Sequence, residues 1–121
     1  MISVMVVDDH EIIRKALKYV LESDPEIKVV CMASNGLEAL GYCEKSLPDV
    51  ILMDIMMPVL NGVEGTKRIK VKFPMVKIIL ITTFDEEKYI EEGLLNGADG
   101  YITKDIREED LKSIIRSTYN G

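Results

Sequence analysis

Apolar residues recur along this chain in two alternating rhythms. Short runs rich in β-branched side chains occupy Ile2–Val7, Ile27–Ala33, Val50–Met53, Lys77–Thr82 and Gly100–Thr103, each near the length of a buried strand. Between them the spacing changes to that of an amphipathic helix. Ile13, Ala16, Leu17, Val20 and Leu21 form one apolar stripe, with Arg14, Lys15 and Lys18 facing elsewhere. Leu37–Glu44, Val63–Lys72 and Glu87–Asn96 follow the same rhythm, and Gly97 offers a left-handed stop after the last. Leu111, Ile114, Ile115 and Thr118 give a final helix its inward face, and "DIRE" from Asp105 to Glu108 reads as a capping box at its start. Five repeats of strand then helix predict an α/β domain whose parallel, doubly wound sheet carries helices on both faces.

Ligands of such sheets bind outside the carboxyl ends of the strands, so the residues leaving each strand carry the chemistry. They are Asp8, Asp9 and His10 after the first strand, Asp54 after the third, Thr82 and Thr83 at the end of the fourth, and Lys104 after the fifth. Ser34, Asn35 and Gly36, leaving the second, read as helix-entry chemistry. If the first and third strands are neighbours, Asp8, Asp9 and Asp54 converge at one rim. Like charges so close raise one another's pKa values, and a divalent cation or a buried ammonium relieves them. Oxygen ligands without a thiolate or imidazole cluster favour Mg²⁺, and Lys104 supplies the ammonium. A carboxylate there can attack phosphorus and become an acyl phosphate once its repulsion with the incoming phosphoryl group is cancelled. Phosphoryl transfer needs mainly positioning and charge neutralisation, so a metal, a lysine and the Thr82 hydroxyl suffice.

Composition narrows the classes. A length of 121 residues suits one domain, and 47% hydrophobic with 30% charged residues suits an ordinary globule with a proper core. The formal net charge of -6 argues against holding nucleic acid on this chain's own surface. Cys31 and Cys43 lack CxxC spacing, and His10 is the only histidine, which argues against zinc; both cysteines read as reduced packing residues. The opening "MISVMVVDDH" has too short an apolar run and no basic leader for a signal peptide, and no other stretch spans a bilayer. A cytoplasmic location is expected.

The same residues resemble a known family, the receiver domains of two-component response regulators. The shared motifs are "VDD" ending at Asp9, "MDIMMPVLNG" around Asp54, "LITT" with Thr82, and "GADGYITK" ending at Lys104, in matching order and spacing over essentially the whole chain. The resemblance implies a five-stranded (βα)5 sheet in flavodoxin-like order 2-1-3-4-5 over residues 1–121. It implies Asp54 as phosphoacceptor, served by a sensor histidine kinase. Asp9 would be a direct Mg²⁺ ligand, Asp8 would act largely through water, and the Met56 backbone carbonyl would complete the metal site with Asp54. Thr82 and Lys104 would contact the phosphoryl group, Tyr101 would be the aromatic switch partner, and a homodimer would form on phosphorylation. Such a domain catalyses only its own phosphorylation and dephosphorylation. "TTFDEE" and the Lys104–Asp105 ending look most like the LuxR/NarL type, whose full chains continue into a DNA-binding helix-turn-helix. That output domain is expected beyond Gly121, with DNA reached only through it; a single-domain receiver acting by protein contacts is the alternative.

Three positions depart from the commonest family pattern. Asn61 stands before Gly62 where aspartate is frequent, a change that leaves a turn intact. Phe84 stands where relatives carry histidine or another polar residue, implying a more apolar surface near the fourth helix. Asp105 follows Lys104 where proline is common, and a cis bond there would cost about 3 to 4 kcal/mol.

Plainer readings stand beside these. The acid pair alone reads as a solvated loop, Thr82 as a strand-end residue, Tyr101 as half-buried packing, and His10 as a helix-start residue. Met56 and Met57 read as loop or gap-filling residues, with Met57 extended before Pro58. A haloacid-dehalogenase-type phosphatase also uses a strand-end aspartate but wants a second carboxylate where Met56 stands. A flavodoxin-like electron carrier needs a hydroxyl-rich loop where Asp8 and Asp9 stand.

Overall fold

A computed structural model describes residues 1–83 and 87–121 of the chain, so Phe84 lies outside the described residues. The order is β1 (Ile2–Val7), α1 (Glu11–Glu22), β2 (Ile27–Ala33), α2 (Gly36–Lys45), β3 (Val50–Asp54), α3 (Gly62–Lys72), β4 (Lys77–Thr82), α4 (Glu87–Leu95), β5 (Gly100–Thr103) and α5 (Glu108–Asn120). The strands form one parallel sheet in the order β2-β1-β3-β4-β5, as expected. Side chains alternate across each strand. Val4 and Val6, Val50 and Leu52, and Ile79 and Ile81 therefore meet Leu21 of α1 and Leu111 and Ile115 of α5. Met5 and Val7, Ile51 and Met53, and Ile78 and Leu80 pack on the other side with Ala39 and Cys43 of α2 and Val63 and Ile69 of α3. Burial on both faces is why the central strands read as continuous apolar runs. Cys31 and Cys43 are free, as expected of packing residues, and burial pushes the Cys43 thiol up to about 11.

Helix ends show which local signals decided. Asn35 and Asn61 cap α2 and α3, each side-chain oxygen accepting a backbone N–H three residues on, from Glu38 and Glu64, at 2.9 Å. Asn61 thus serves as a cap rather than as a turn residue. After α4, Ala98 N–H donates to the Gly93 carbonyl and Gly97 N–H to the Leu94 carbonyl, with Gly97 at φ +110°. That pairing closes a helix through a left-handed residue, as the glycine foretold.

Three expectations need correction. The "DIRE" capping box does not form: α5 begins after Arg107 with no side-chain cap, because Asp105 is engaged by the Thr103 hydroxyl and Arg107 by Asp110. The α1 stripe is fully buried only at Leu21; Ile13 and Ala16 are exposed, because that end of α1 stands apart from α5 across an apolar groove of about 190 Å³. No peptide bond among the described residues is cis, so the strain considered at Lys104–Asp105 does not arise.

Candidate functional site: an acidic rim facing a lysine

Strand register assembles the rim. Val7 of β1 pairs with Met53 of β3, so Asp8 leaves β1 beside Asp54, the last residue of β3. Both are buried, Asp8 at 0% and Asp54 at 2% exposure. Asp54 pairs with Ile81 of β4, which puts buried Thr82 one step along; Thr82 in turn pairs with Thr103 of β5. Lys104 follows, its N–H donating to the Thr82 carbonyl at 3.0 Å. The Thr82 hydroxyl donates to the Thr83 carbonyl at 2.9 Å. The Lys104 ammonium lies 3.4 Å from Asp54 Oδ2 and is 42% exposed. Charge-assisted hydrogen bonds to carboxylates are usually about 2.7 to 2.9 Å, so this pairing is loose.

The loop from Ile55 to Asn61 returns the chain to the end of β3. Gly62 N–H donates to the Ile55 carbonyl at 2.8 Å, and a Cβ at Gly62 would stand 2.3 Å from the Asp54 carbonyl oxygen. Glycine is therefore required where α3 meets the strand end. Leu60 N–H reaches back to the Pro58 carbonyl at 2.7 Å across Val59, which sits at φ +68°. A β-branched residue in that region is strained. Half-exposed Met56 stands at the loop's start.

On the β1 side, Asp8 Oδ1 accepts the His10 backbone N–H at 2.9 Å, and His10 Nδ1 lies 3.1 Å from both Asp8 Oδ1 and Asp9 Oδ1. The Arg14 guanidinium donates to the Asp8 carbonyl at 2.7 Å. Asp8 Oδ2 and Asp9 Oδ1 are buried yet receive no aligned hydrogen bond. Buried polar atoms are ordinarily paired, so two orphaned carboxylate oxygens on one rim suit a hard cation that takes oxygen ligands. The ligand atoms of Asp8, Asp9 and His10 lie within 4.8 Å of one another; among the described residues Asp54 is not in that group. The predicted acids thus divide into the pair with His10 on β1 and Asp54 with Lys104 across β3 and β5. Tyr101, 48% exposed on β5, sits by Ile90 and Leu94 of α4 in an open groove.

The sequence placed His10 among the strand-exit residues but read it as a helix start, and it read Arg14 as facing elsewhere; in the structure both contact the acid pair. His10 is indeed the residue before α1, but its ring turns back to the acids instead of capping. The available signal was position: His10 stands at the N-cap and Arg14 in the first turn of a helix that starts at the rim.

Fold and rim define a doubly wound α/β domain with an acid pair, a strand-end aspartate and a lysine at one carboxyl edge. Residues 4–116 match the response regulator receiver domain, and the chain belongs to that family. It is 40% identical over 121 residues to the transcriptional regulatory protein LnrK of Bacillus subtilis, covering 100% of this chain and 55% of that protein. The response regulator domain of Thermotoga maritima CheB superposes with a TM-score of 0.92 at 39% identity, over 100% of this chain and 98% of that one. A DNA-binding response regulator of the LuxR family from Staphylococcus aureus superposes at 0.92 with 28% identity, over 99% and 100%. The chain spans about half the length of the curated relatives it matches. No helix among the described residues is long and apolar enough to cross a membrane.

Proposed function

We propose that Asp54 accepts a phosphoryl group from a sensor histidine kinase and that the resulting charge rearranges the α4–β5–α5 surface of the domain. The observation that carries this reading is the placement of buried Asp54 between a lysine 3.4 Å away and a neighbouring acid with an orphaned oxygen. An Asp54 carboxylate oxygen attacks phosphorus, the bond from phosphorus to the donor's leaving group breaks, and that group takes a proton from solvent. Asp54 needs no general base because the carboxylate is the nucleophile. Asp8, Asp9, Asp54 and the Met56 carbonyl hold Mg²⁺, which neutralises charge on the phosphoryl oxygens when bound. Lys104 turns from Asp54 to the phosphoryl group, and Thr82 donates to it. Each such charge-assisted hydrogen bond contributes about 1.5 to 3 kcal/mol, while inverting a 1:99 population takes about 5.5 kcal/mol. Two contacts fall short once the existing Lys104–Asp54 pair is discounted, so dimerisation supplies the remainder. Tyr101 then rotates inward as the space beside Thr82 opens.

In the full protein this switch controls a C-terminal DNA-binding domain and operates in the cytoplasm. The relatives' coverage supports this, since the matched curated proteins are about twice this chain's length and carry transcriptional regulator names. The experiment is intact-mass measurement after incubation with acetyl phosphate and Mg²⁺. Wild type gains one labile phosphate and Asp54→Asn gains none; equal phosphorylation of both would remove Asp54 from its role.

A further inference from the structure

Two neighbouring helices carry the same surface pattern with its charges inverted. On α3, Glu64, Lys67, Arg68 and Val71 are all exposed; on α4, Lys88, Glu91, Glu92 and Leu95 are all exposed. Both sets follow the spacing i, i+3, i+4, i+7, which lines one face of a helix over two turns. Each acid of one stripe thus answers a base of the other, and each stripe ends on an aliphatic residue, Val71 at 78% and Leu95 at 85% exposure. The helices lie side by side: Asn96 Nδ2 donates to the Val63 carbonyl at 3.2 Å, and a Cβ at Gly97 would stand 3.2 Å from Lys70 Cγ. Both pack on one face of a parallel sheet, each joining consecutive parallel strands, and so run in the same direction. Gly97 lies opposite Lys70, so the stripes are offset by about three residues, or about 4.5 Å at 1.5 Å per residue, within reach of these long side chains. The chain does not use these charges on itself. Elsewhere on the helices surface charges do pair, Lys15 with Glu11, Lys72 with Glu44 and Arg107 with Asp110. Among the described residues none of the six charges in the two stripes makes an ion pair.

We infer that a second copy of this chain covers the α3–α4 face, the α3 stripe of each copy lying on the α4 stripe of the other about a two-fold axis along the helices. That axis exchanges the two helices without reversing their direction, so each charge of one copy meets its opposite, and Val71 of one copy meets Leu95 of the other. An axis across the helices would lay each stripe on itself, cations on cations and acids on acids. The contact is self-complementary and closes at two copies. Two apolar residues from each copy make a small centre, which places the dimer at the weak, transient end of interfaces. The face is built from residues that do not touch Asp54, so the inference stands apart from phosphoryl acceptance; it gives a surface to the dimer that the proposed function calls on.

The test measures self-association by analytical ultracentrifugation without a phosphodonor. One variant combines Lys67→Glu with Arg68→Glu, and a second combines Glu91→Lys with Glu92→Lys. All four positions are exposed, and circular dichroism checks the fold. Wild type should form dimers, and each variant alone should associate about tenfold or more weakly, since like charges then face each other. An equimolar mixture of the two variants should recover dimers at close to the wild-type affinity, because both contacts of the mixed pair are complementary again. Each double reversal shifts the net charge of -6 by four, so both variants remain net acidic and bulk attraction does not bring them together. A wild type that stays monomeric, or a mixture that associates no better than its components, would overturn the interface. Acetyl phosphate labelling should be the same in both variants as in wild type. Its absence from all three proteins would count against Asp54 and leave the association result standing by itself.

Discussion

Buried and half-buried acids occupy both edges of this sheet, and the two edges treat them differently. At the amino edge, Asp49 Oδ2 accepts the Ser3 N–H at 2.9 Å and the Ser3 hydroxyl at 3.1 Å. Asp99 Oδ2 accepts the Ile78 N–H at 2.8 Å and pairs with Lys70 at 2.9 Å. Asp24 Oδ1 accepts the Glu26 N–H at 2.9 Å, and its Oδ2, which receives no aligned hydrogen bond, pairs with the Arg116 guanidinium at 2.6 Å. These acids staple strand beginnings to their neighbours. At the carboxyl edge, Asp8 Oδ2 and Asp9 Oδ1 are buried without an aligned hydrogen bond, although His10 Nδ1 stands 3.1 Å from the latter. An acid that the chain supplies with aligned donors or a close guanidinium is structural; one with a buried oxygen that neither reaches, as at Asp8 Oδ2, suits a ligand the chain does not contain.

Substitutions should separate the edges. Asp99→Ala leaves the Ile78 N–H and the well-buried Lys70 ammonium without their partner, and should cost about 3 kcal/mol in denaturant unfolding. Phosphoryl acceptance per folded molecule should survive it. Asp8→Asn in metal-free buffer should go the other way. Removing one charge from the crowded rim should leave stability unchanged or raise it by about 1 kcal/mol. A loss as large as that of Asp99→Ala would mean that the rim acids are staples after all. The smallest effect concerns strain, which the rim loop has at Val59 and which no other non-glycine described residue shows through a positive φ. Val59→Gly should stabilise by up to about 1 kcal/mol, relief of the left-handed penalty being offset by glycine's greater unfolded entropy. A thermal melt that falls instead would show Val59 to be at ease in its turn.

The edges also differ in how well the sequence announced them. Asp8, Asp9, Asp54, Thr82 and Lys104 were legible because each directly follows or ends an apolar run, and strand order then brings them to one edge. Asp49 and Asp99 were not singled out, since their partners are remote in sequence: Ser3 is 46 residues from Asp49, and Ile78 is 21 from Asp99. The false capping box at Asp105 has a related cause. Its oxygen had two local claimants, the helix and Thr103, and the nearer hydroxyl at the β5 exit took it. Strand and helix bounds were predicted well because burial on both faces leaves little choice of residue type. The orientation of one ring, His10, depended on contacts that spacing does not encode.

The most direct measurement is a calorimetric Mg²⁺ titration of wild type, Asp8→Asn and Asp49→Asn. An ion bound only by the folded state at about one hundred times its dissociation constant adds about 2.7 kcal/mol of stability. Wild type and Asp49→Asn should bind one ion with similar affinity and melt higher in its presence, while Asp8→Asn should bind it weakly and gain little. Equal binding by all three proteins, or no binding by wild type, would contradict the claim that the carboxyl rim is built for a cation.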